Sequence, residues 1–291
     1  MRVGGLNVGV WYPSSDREAT FTYTQNAVGT VAHNGAVNGC SRFPLVVFSH
    51  GFGGCGIQSL FITEELARRG YVVAAPDHAD AQCSVTGTGA IQFIPPEQSF
   101  LTPERWNDQT NAGRRADLDR TITGMQQSAE LGAALSGRVG AVGHSLGGYT
   151  VVGMAGGWES WRDSRLNAVV ALSPFVAPFL LQQRLASVRV PVMYQGAQFD
   201  LGITPTLRGD GGAFGASNPP KYYVELFAGN HFIWTNLECG SRTPSDCVRS
   251  DATASLIAEY GTAFLDRYVK GDSGPLSRLN GAGLAGFNAV P

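Results

Sequence analysis

The sequence has little charge, and lysine is almost absent from it. Charged residues make up 15% of the 291 residues, against roughly 25% in typical soluble domains, and Lys221 and Lys270 are the only lysines. The net charge of −2 leaves no basic stripe, which argues against a nucleic-acid partner. No apolar run approaches the roughly 18 residues of a transmembrane segment. The first residues also lack the apolar region of a signal peptide, although the uncharged polar composition is typical of exported hydrolases and favours a secreted or periplasmic location.

The cysteines exclude some chemistry and predict one bond. Five are present, but no C-x-x-C pair occurs, which argues against structural zinc and thioredoxin-like redox chemistry. Cys239 and Cys247 flank a turn-rich stretch. We expect them to form a disulfide that closes this small loop.

Strand-like apolar runs alternate with helical ones along the chain, which predicts an α/β fold with a mainly parallel, twisted sheet and helices on both faces. We expect eight strands in one domain over residues 1–291. Residues 8–12 and 20–23 are predicted to form an antiparallel N-terminal edge. A long helix is predicted over 111–135, and the Gly- and Ala-rich end of the chain is expected to be poorly ordered.

The periodicity fails between about residues 79 and 110, where we expect a long irregular insertion. Loops of this length inside a compact domain are usually functional. This one carries Phe93, Phe100 and Trp106, which could line a substrate cleft or could equally pin the loop to the core.

Residues 143–148, with the sequence GHSLGG, carry the strongest chemical signal. They lie between a strand-like run and a helix-compatible one. A G-x-S-x-G segment at such a junction is a nucleophile elbow, a sharp turn that exposes the serine hydroxyl. The glycines are needed because a Cβ would collide with neighbouring backbone at so tight a bend. The segment predicts Ser145 as a nucleophile.

A serine nucleophile needs a base, and the base needs an orienting carboxylate. In proteins whose sheet carries a nucleophile elbow, the acid and then the histidine follow the serine along the chain, each after one of the later strands. Of five histidines, only His231 follows the final predicted strand. Asp200 follows the preceding strand and is the expected acid, with Asp210 in a Gly-rich loop as the alternative.

The negative charge that develops during acyl transfer needs two backbone N–H donors. Leu146, the residue after the nucleophile, is predicted to supply one of them. Phe52, in the HGFGG loop after the strand at 45–49, is predicted to supply the other, and its ring is expected to form part of the cleft wall.

The same loop contains a competing pattern. Gly51, Gly53 and Gly56 satisfy G-x-G-x-x-G between a strand and a helix, with Asp77 about twenty residues further on, as in an NAD(P)-binding oxidoreductase. Pro76 ends the second strand before Asp77, however, and this interpretation leaves the serine, acid and histidine unexplained.

These motifs resemble those of the α/β-hydrolase superfamily. More narrowly, they resemble the dienelactone-hydrolase-like group that includes platelet-activating-factor acetylhydrolases, chlorophyllase-like esterases and cutinase-like polyester hydrolases. The segments concerned are VWYP at 10–13, VFSHGFGG at 47–54, GYVVAAPDH at 70–78 and VGHSLGG at 142–148. The resemblance spans roughly residues 8–270 and implies the α/β-hydrolase fold.

The resemblance also implies a serine esterase without cofactor or metal, with Ser145, Asp200 and His231 as its triad. Dienelactone hydrolase itself uses a cysteine, so the serine here argues against simple dienelactone chemistry. Polyester hydrolases of the group clamp the acyl group with an aromatic residue beyond the strand after the elbow. Phe175 lies about there, and Trp234 follows the histidine closely enough to face the same cleft. Phe175 could equally be a core residue.

The sequence therefore predicts a serine carboxylic-ester hydrolase that acts through an acyl-enzyme on short-to-medium acyl esters, with polyesters as a further substrate class. Its partner would be a small-molecule or polymeric ester. The alternative from another class is a catalytically silent α/β-hydrolase that serves as a binding module. No feature of the sequence indicates an oligomeric state.

Overall fold

The structure, a computed structural model, describes residues 1–24, 27–39, 41–82 and 98–291. The strands in chain order are β1 (Arg2–Val3), β2 (Leu6–Trp11), β3 (Ala19–Thr24), β4 (Ala27–Val31), β5 (Phe43–Ser49), β6 (Val72–Pro76), β7 (Leu135–His144), β8 (Leu166–Leu172), β9 (Val192–Ala197), β10 (Lys221–Leu226) and β11 (Gly286–Val290). The α-helices are α1 (Leu60–Arg68), α2 (Ala112–Gln126), α3 (Leu146–Val152), α4 (Ala177–Leu181), α5 (Ala213–Ala216), α6 (Asn236–Cys239), α7 (Pro244–Ser250) and α8 (Ala252–Leu265).

Within these ranges, nine strands form one sheet in the order β1-β2-β6-β5-β7-β8-β9-β10-β11. The six strands from β6 to β10 in this order are parallel, and antiparallel strands complete both edges. Every residue of β5 and β6 is buried, as expected for strands covered on both faces. Helices α2 and α3 pack on one face, and α1 and α8 pack on the other. This arrangement confirms the predicted α/β-hydrolase fold.

The edges of the sheet differ in detail from the prediction. Residues 20–23 form part of β3, which pairs with β4 in a separate hairpin instead of extending the sheet. The hairpin is attached to α1, where the Tyr23 hydroxyl donates to Glu64 at 2.9 Å. The described sheet has nine strands instead of eight, because β1 and β11 are added at its two edges and residues 20–23 are not part of it.

The end of the chain is ordered, contrary to expectation. β11 pairs with β10 over five residues, and the Phe287 ring packs against Tyr260 with centroids 6.0 Å apart. Glycine and alanine carry little strand signal of their own. The order comes from the neighbouring strand and from one aromatic contact, which composition does not reveal.

The predicted helix over 111–135 is shorter than expected. α2 ends at Gln126, and the chain then turns, with the Gly132 N–H donating to the Ser128 carbonyl at 2.9 Å, before β7 begins at Leu135. Of the predicted insertion, only 79–82 and 98–110 are described, so Phe93 lies outside the described residues. No helix in the described ranges has the length and apolar character to cross a membrane.

Candidate active site

Ser145 lies in the turn between β7 and α3, with φ 54° and ψ −116°. This backbone conformation is strained for a residue with a Cβ. The flanking glycines make it possible. A Cβ on Gly147 would lie 1.9 Å from the carbonyl oxygen of Ser49, and one on Gly143 would lie 2.3 Å from that of Gly147. The steric requirement inferred from GHSLGG is therefore present in the structure.

Ser145, His231 and Asp200 form a continuous hydrogen-bonded chain. The Ser145 hydroxyl lies 2.9 Å from Nε2 of His231, and Nδ1 of that ring lies 3.0 Å from Oδ2 of Asp200. Because a carboxylate only accepts, Nδ1 carries the proton and Nε2 accepts from the serine. Asp200 is 5% exposed, whereas the His231 side chain is 27% exposed and reaches the cleft. Asp210, the alternative acid, lies exposed in its own loop, and it is Asp200 that contacts the imidazole.

Ser173 joins this chain, although it was not predicted from the sequence. Its hydroxyl donates to Oδ2 of Asp200 and lies 2.9 Å from Nδ1 of His231. The residue follows β8 directly, is fully buried and has φ 42°. Its N–H donates to the Gln195 carbonyl at 2.7 Å, which fixes the turn. The available sequence signal was a polar residue at the carboxyl end of the strand beside the elbow strand.

A second network ties His231 to the loop that carries Phe52. His144 donates through Nε2 to the His231 carbonyl at 2.8 Å and accepts at Nδ1 from Gln58 at 3.1 Å. The Gln58 side-chain oxygen accepts the N–H of Gly51 at 3.0 Å. Burial, and then repulsion from His231, lowers the pKa of His144 to about 3. The ring is therefore neutral, as one donating and one accepting nitrogen require.

The two predicted N–H donors lie beside the serine. Leu146 is the first residue of α3, so its N–H has no partner within the helix. In the 51–54 loop, the N–H of Gly51 is engaged as described, and that of Gly53 donates to Asp80 at 3.2 Å. Among the hydrogen bonds of the described residues, none uses the Phe52 N–H. The loop abuts the serine, since a Cβ on Gly51 would lie 3.4 Å from the Ser145 Cβ.

A cleft of about 1050 Å³ opens over Ser145. Phe52, Phe100 and Phe175 line it. The Phe100 ring meets Phe52 and Phe175 edge-on, with centroids 5.7 and 5.0 Å apart. These three residues, the aromatic wall, close one side of the cleft. Phe232 also lines the cleft, and this residue is 54% exposed.

The two predicted tryptophans do not line this cleft. Trp106 is 1% exposed and packs behind the aromatic wall, 5.5 Å from Phe100 and 5.0 Å from Phe175 between centroids. Trp234 is fully buried, and its Nε1 donates to Gln195 at 3.0 Å. Both are core residues because their indole rings turn inward from the segments that carry them.

The disulfide prediction is confirmed. Cys239 and Cys247 are bonded, with Cα atoms 5.2 Å apart, and they join α6 to α7. The bond closes the loop beside Asn236 and Leu237, both of which line the cleft.

The glycines of the nucleotide-like pattern serve the fold of the loop. The N–H of Gly56 donates to Oδ1 of Asp77 at 2.8 Å, and a Cβ there would lie 2.4 Å from the Ala75 carbonyl oxygen. Asp77, the residue that would hold a ribose, instead anchors this turn and also accepts from Asn7 at 2.5 Å. In the described part of the chain, no cluster of three or more His, Cys, Asp or Glu could hold a metal ion.

The sheet order and the elbow turn are those of the α/β-hydrolase fold. Residues 14–112 match the sequence model of the family described as platelet-activating factor acetylhydrolase, isoform II. Over these residues, the chain thus resembles that group of serine esterases. The comparison with curated proteins gave no match. The family match supports a serine ester hydrolase and favours neither an NAD(P)-binding oxidoreductase nor a silent binding module.

Proposed function

We propose that this serine ester hydrolase acts on carboxylic esters through an acyl-enzyme formed on Ser145. The observation that carries the proposal is the hydrogen-bonded chain from Ser145 through His231 to Asp200, with its distances of 2.9 and 3.0 Å. A serine hydroxyl is a weak nucleophile until an adjacent base takes its proton. Here the base is oriented by a buried carboxylate and remains accessible from the cleft.

In the proposed reaction, the Ser145 oxygen attacks the ester carbonyl carbon while its proton passes to Nε2 of His231. The carbonyl oxygen becomes an oxyanion that accepts hydrogen bonds from the N–H groups of Phe52 and Leu146. The carbon–oxygen bond to the alcohol then breaks, and His231 returns the proton to the leaving oxygen. In the second half, His231 deprotonates a water that attacks the acyl-enzyme, which releases the acid and restores the serine.

We propose short-to-medium acyl esters as substrates. The aromatic wall supports this, because it offers apolar contact to an acyl group while limiting its depth. Phe232 and Leu237 also line the cleft, and they are 54% and 75% exposed. An open apolar rim accommodates a bulky alcohol portion, so we include insoluble polyesters in the proposed substrate class.

Hydrolysis of p-nitrophenyl butyrate by wild type and Ser145→Ala tests the mechanism. We expect the substitution to lower kcat on the order of a million-fold and to abolish labelling by a fluorophosphonate. Ser160→Ala is the matched control, because Ser160 is an exposed serine whose hydroxyl donates to Asp108 at 2.7 Å. Undiminished turnover by Ser145→Ala would contradict the mechanism. A p-nitrophenyl ester series and release of soluble acid from a polyester film test the substrate class.

A further inference from the structure

Arg114 is a buried cation that the proposed chemistry leaves without a role. It projects from the first turn of α2 and is 4% exposed. Burial lowers the pKa of Arg114 on balance, although the carboxylate of Asp80, 2.9 Å away, acts in the opposite direction. A charge held so far from solvent is stable only if hydrogen bonds replace its hydration. The partners of the guanidinium therefore show what it holds in place.

Two of these partners are carbonyl groups of the loop that carries Phe52. Nη1 of Arg114 donates to the His50 carbonyl at 2.7 Å, and Nη2 donates to the Gly51 carbonyl at 3.1 Å. The planar guanidinium thereby anchors two successive peptide groups. Nδ1 of His50 also donates to the Gly51 carbonyl at 2.7 Å, and the Gly54 N–H donates to it at 3.0 Å, so this oxygen receives three donors.

The Gly51 carbonyl belongs to the same peptide unit as the Phe52 N–H. A peptide unit is planar and trans, so its C=O and N–H point in opposite directions. Arg114 is one of the three donors that anchor this carbonyl, and it therefore helps to set the direction of the N–H. Hydrogen bonds to the carbonyl also polarise the amide and strengthen its N–H as a donor.

Asp80 holds the other side of Phe52. Its Oδ2 accepts the N–H of Gly53 at 3.2 Å and one Arg114 nitrogen at 2.9 Å, while Oδ1 accepts Nε of Arg114 at 3.1 Å. The Arg114–Asp80 ion pair thus holds the backbone on both sides of Phe52, through the Gly51 carbonyl before it and the Gly53 N–H after it.

We propose that the buried Arg114 and the partly buried Asp80 form a brace that aims and polarises the Phe52 N–H toward the oxyanion of the transition state. They are positioning residues, since neither is placed to touch the substrate. The inference rests on the proposed function, because it assigns the brace to a step of ester hydrolysis.

Arg114→Lys tests the brace, because it keeps the charge and removes the planar fork. Complete loss of an oxyanion donor costs about 100- to 1,000-fold in rate. For a misdirected donor we expect kcat on p-nitrophenyl butyrate to fall about 10- to 100-fold, with KM within about twofold. The inhibition constant of butylboronic acid, which forms a tetrahedral adduct on the serine, should rise by the factor by which kcat/KM falls. Asp80→Asn should act in the same direction.

Arg165→Lys is the matched control. Arg165 pairs with Asp163 and Asp119 just before β8, at the opposite end of that strand from Ser173. We expect its kinetics and boronate affinity to equal those of wild type. The acidic limb of the pH–rate profile should also stay in place in Arg114→Lys, because the brace does not contact His231.

A parallel loss of boronate affinity and kcat/KM in Arg114→Lys or Asp80→Asn supports the brace. Asp80→Asn keeps both hydrogen bonds from Arg114 to the His50 and Gly51 carbonyls, so this variant tests the brace if Arg114→Lys does not fold. Unchanged boronate affinity in a folded variant, or a loss confined to KM, overturns the brace. Neither result touches the proposed function, which wild-type turnover and Ser145→Ala test separately.

Discussion

The Ser173 hydroxyl and Nδ1 of His231 lie 2.9 Å apart, on the side of the imidazole away from Ser145. The Ser173 hydroxyl also donates to Asp200, so the Asp200 carboxylate holds both the His231 ring and Ser173. Removing the hydroxyl would leave a 5% exposed carboxylate with one donor fewer. On this side, the ring is thus held by two side chains, those of Asp200 and Ser173.

We predict that Ser173→Ala and Ser173→Gly each lower kcat/KM by about tenfold or more, because hydrogen bonds to charged groups contribute roughly 1.5–3 kcal/mol. Glycine adopts the φ of 42° without strain, so Ser173→Gly should be about 1 kcal/mol more stable than Ser173→Ala. Steady-state kinetics and urea denaturation of both variants check this. Both variants lack the hydroxyl and should therefore lose similar activity. If the more stable variant were instead the more active one in proportion to its stability, Ser173 would have only a structural role.

We predict that Gly147→Ala destroys the elbow. The new methyl would lie 1.9 Å from the Ser49 carbonyl oxygen and 2.7 Å from that of His50, and neither backbone atom can move without displacing the end of β5. The expected cost is more than about 3 kcal/mol of unfolding free energy, as in severe overpacking, with loss of turnover. Gly113→Ala is the control, since a Cβ at this position in α2 meets nothing within 4 Å. It should leave turnover unchanged and raise stability by about 0.4–1 kcal/mol.

Phe100 should limit acyl length, because its ring stands between those of Phe52 and Phe175 in the aromatic wall. We predict that Phe100→Ala raises the octanoate-to-butyrate ratio of kcat/KM for p-nitrophenyl esters by about tenfold, the usual worth of apolar pocket contacts. Leu101→Ala is the control, since Leu101 is 91% exposed. An equal ratio in wild type and both variants would place the acyl group elsewhere.

Stability should fall as the pH drops below about 6.5. Burial lowers the pKa of His50, His78 and His144, the last to about 3. Between the depressed folded pKa and the unfolded value near 6.5, the unfolded chain binds the extra proton, so each histidine destabilises the fold by about 1.4 kcal/mol per pH unit of acidification. Urea denaturation at pH 5 and pH 7 measures the slope. His144→Gln, which cannot titrate, should flatten it, and an unchanged slope would show that His144 does not contribute.

Residues at the ends of apolar strands could be located from the sequence. Ser145, Asp200 and His231 each follow a parallel strand, and the carboxyl ends of parallel strands meet at one edge of the sheet. Chain order and strand signal were therefore enough to bring them together. Trp106 and Trp234 were misplaced because distance along the chain from a site residue does not reveal which way a side chain turns.

The supporting contacts could not be found in this way. Ser173 reaches His231 across 58 residues, Gln58 reaches His144 across 86, and Arg114 reaches Gly51 across 63. These pairs depend on how α1, α2 and β8 pack, and no local periodicity encodes that packing. Serine, glutamine and arginine are also common on surfaces, so their burial becomes evident only in three dimensions.

The β3–β4 hairpin stands outside the main sheet, and Thr24 and Ala27, at the end of β3 and the start of β4, line the cleft. One side of the cleft entrance is thus a two-stranded hairpin whose strands pair with each other. The Tyr23 hydroxyl fixes this hairpin to the rest of the fold, because it accepts from Trp11 and donates to Glu64. A hairpin of different sequence and equal length would change the shape of the cleft entrance and leave the turn that holds Ser145 unchanged. Substrate choice can therefore diverge here independently of the reaction chemistry.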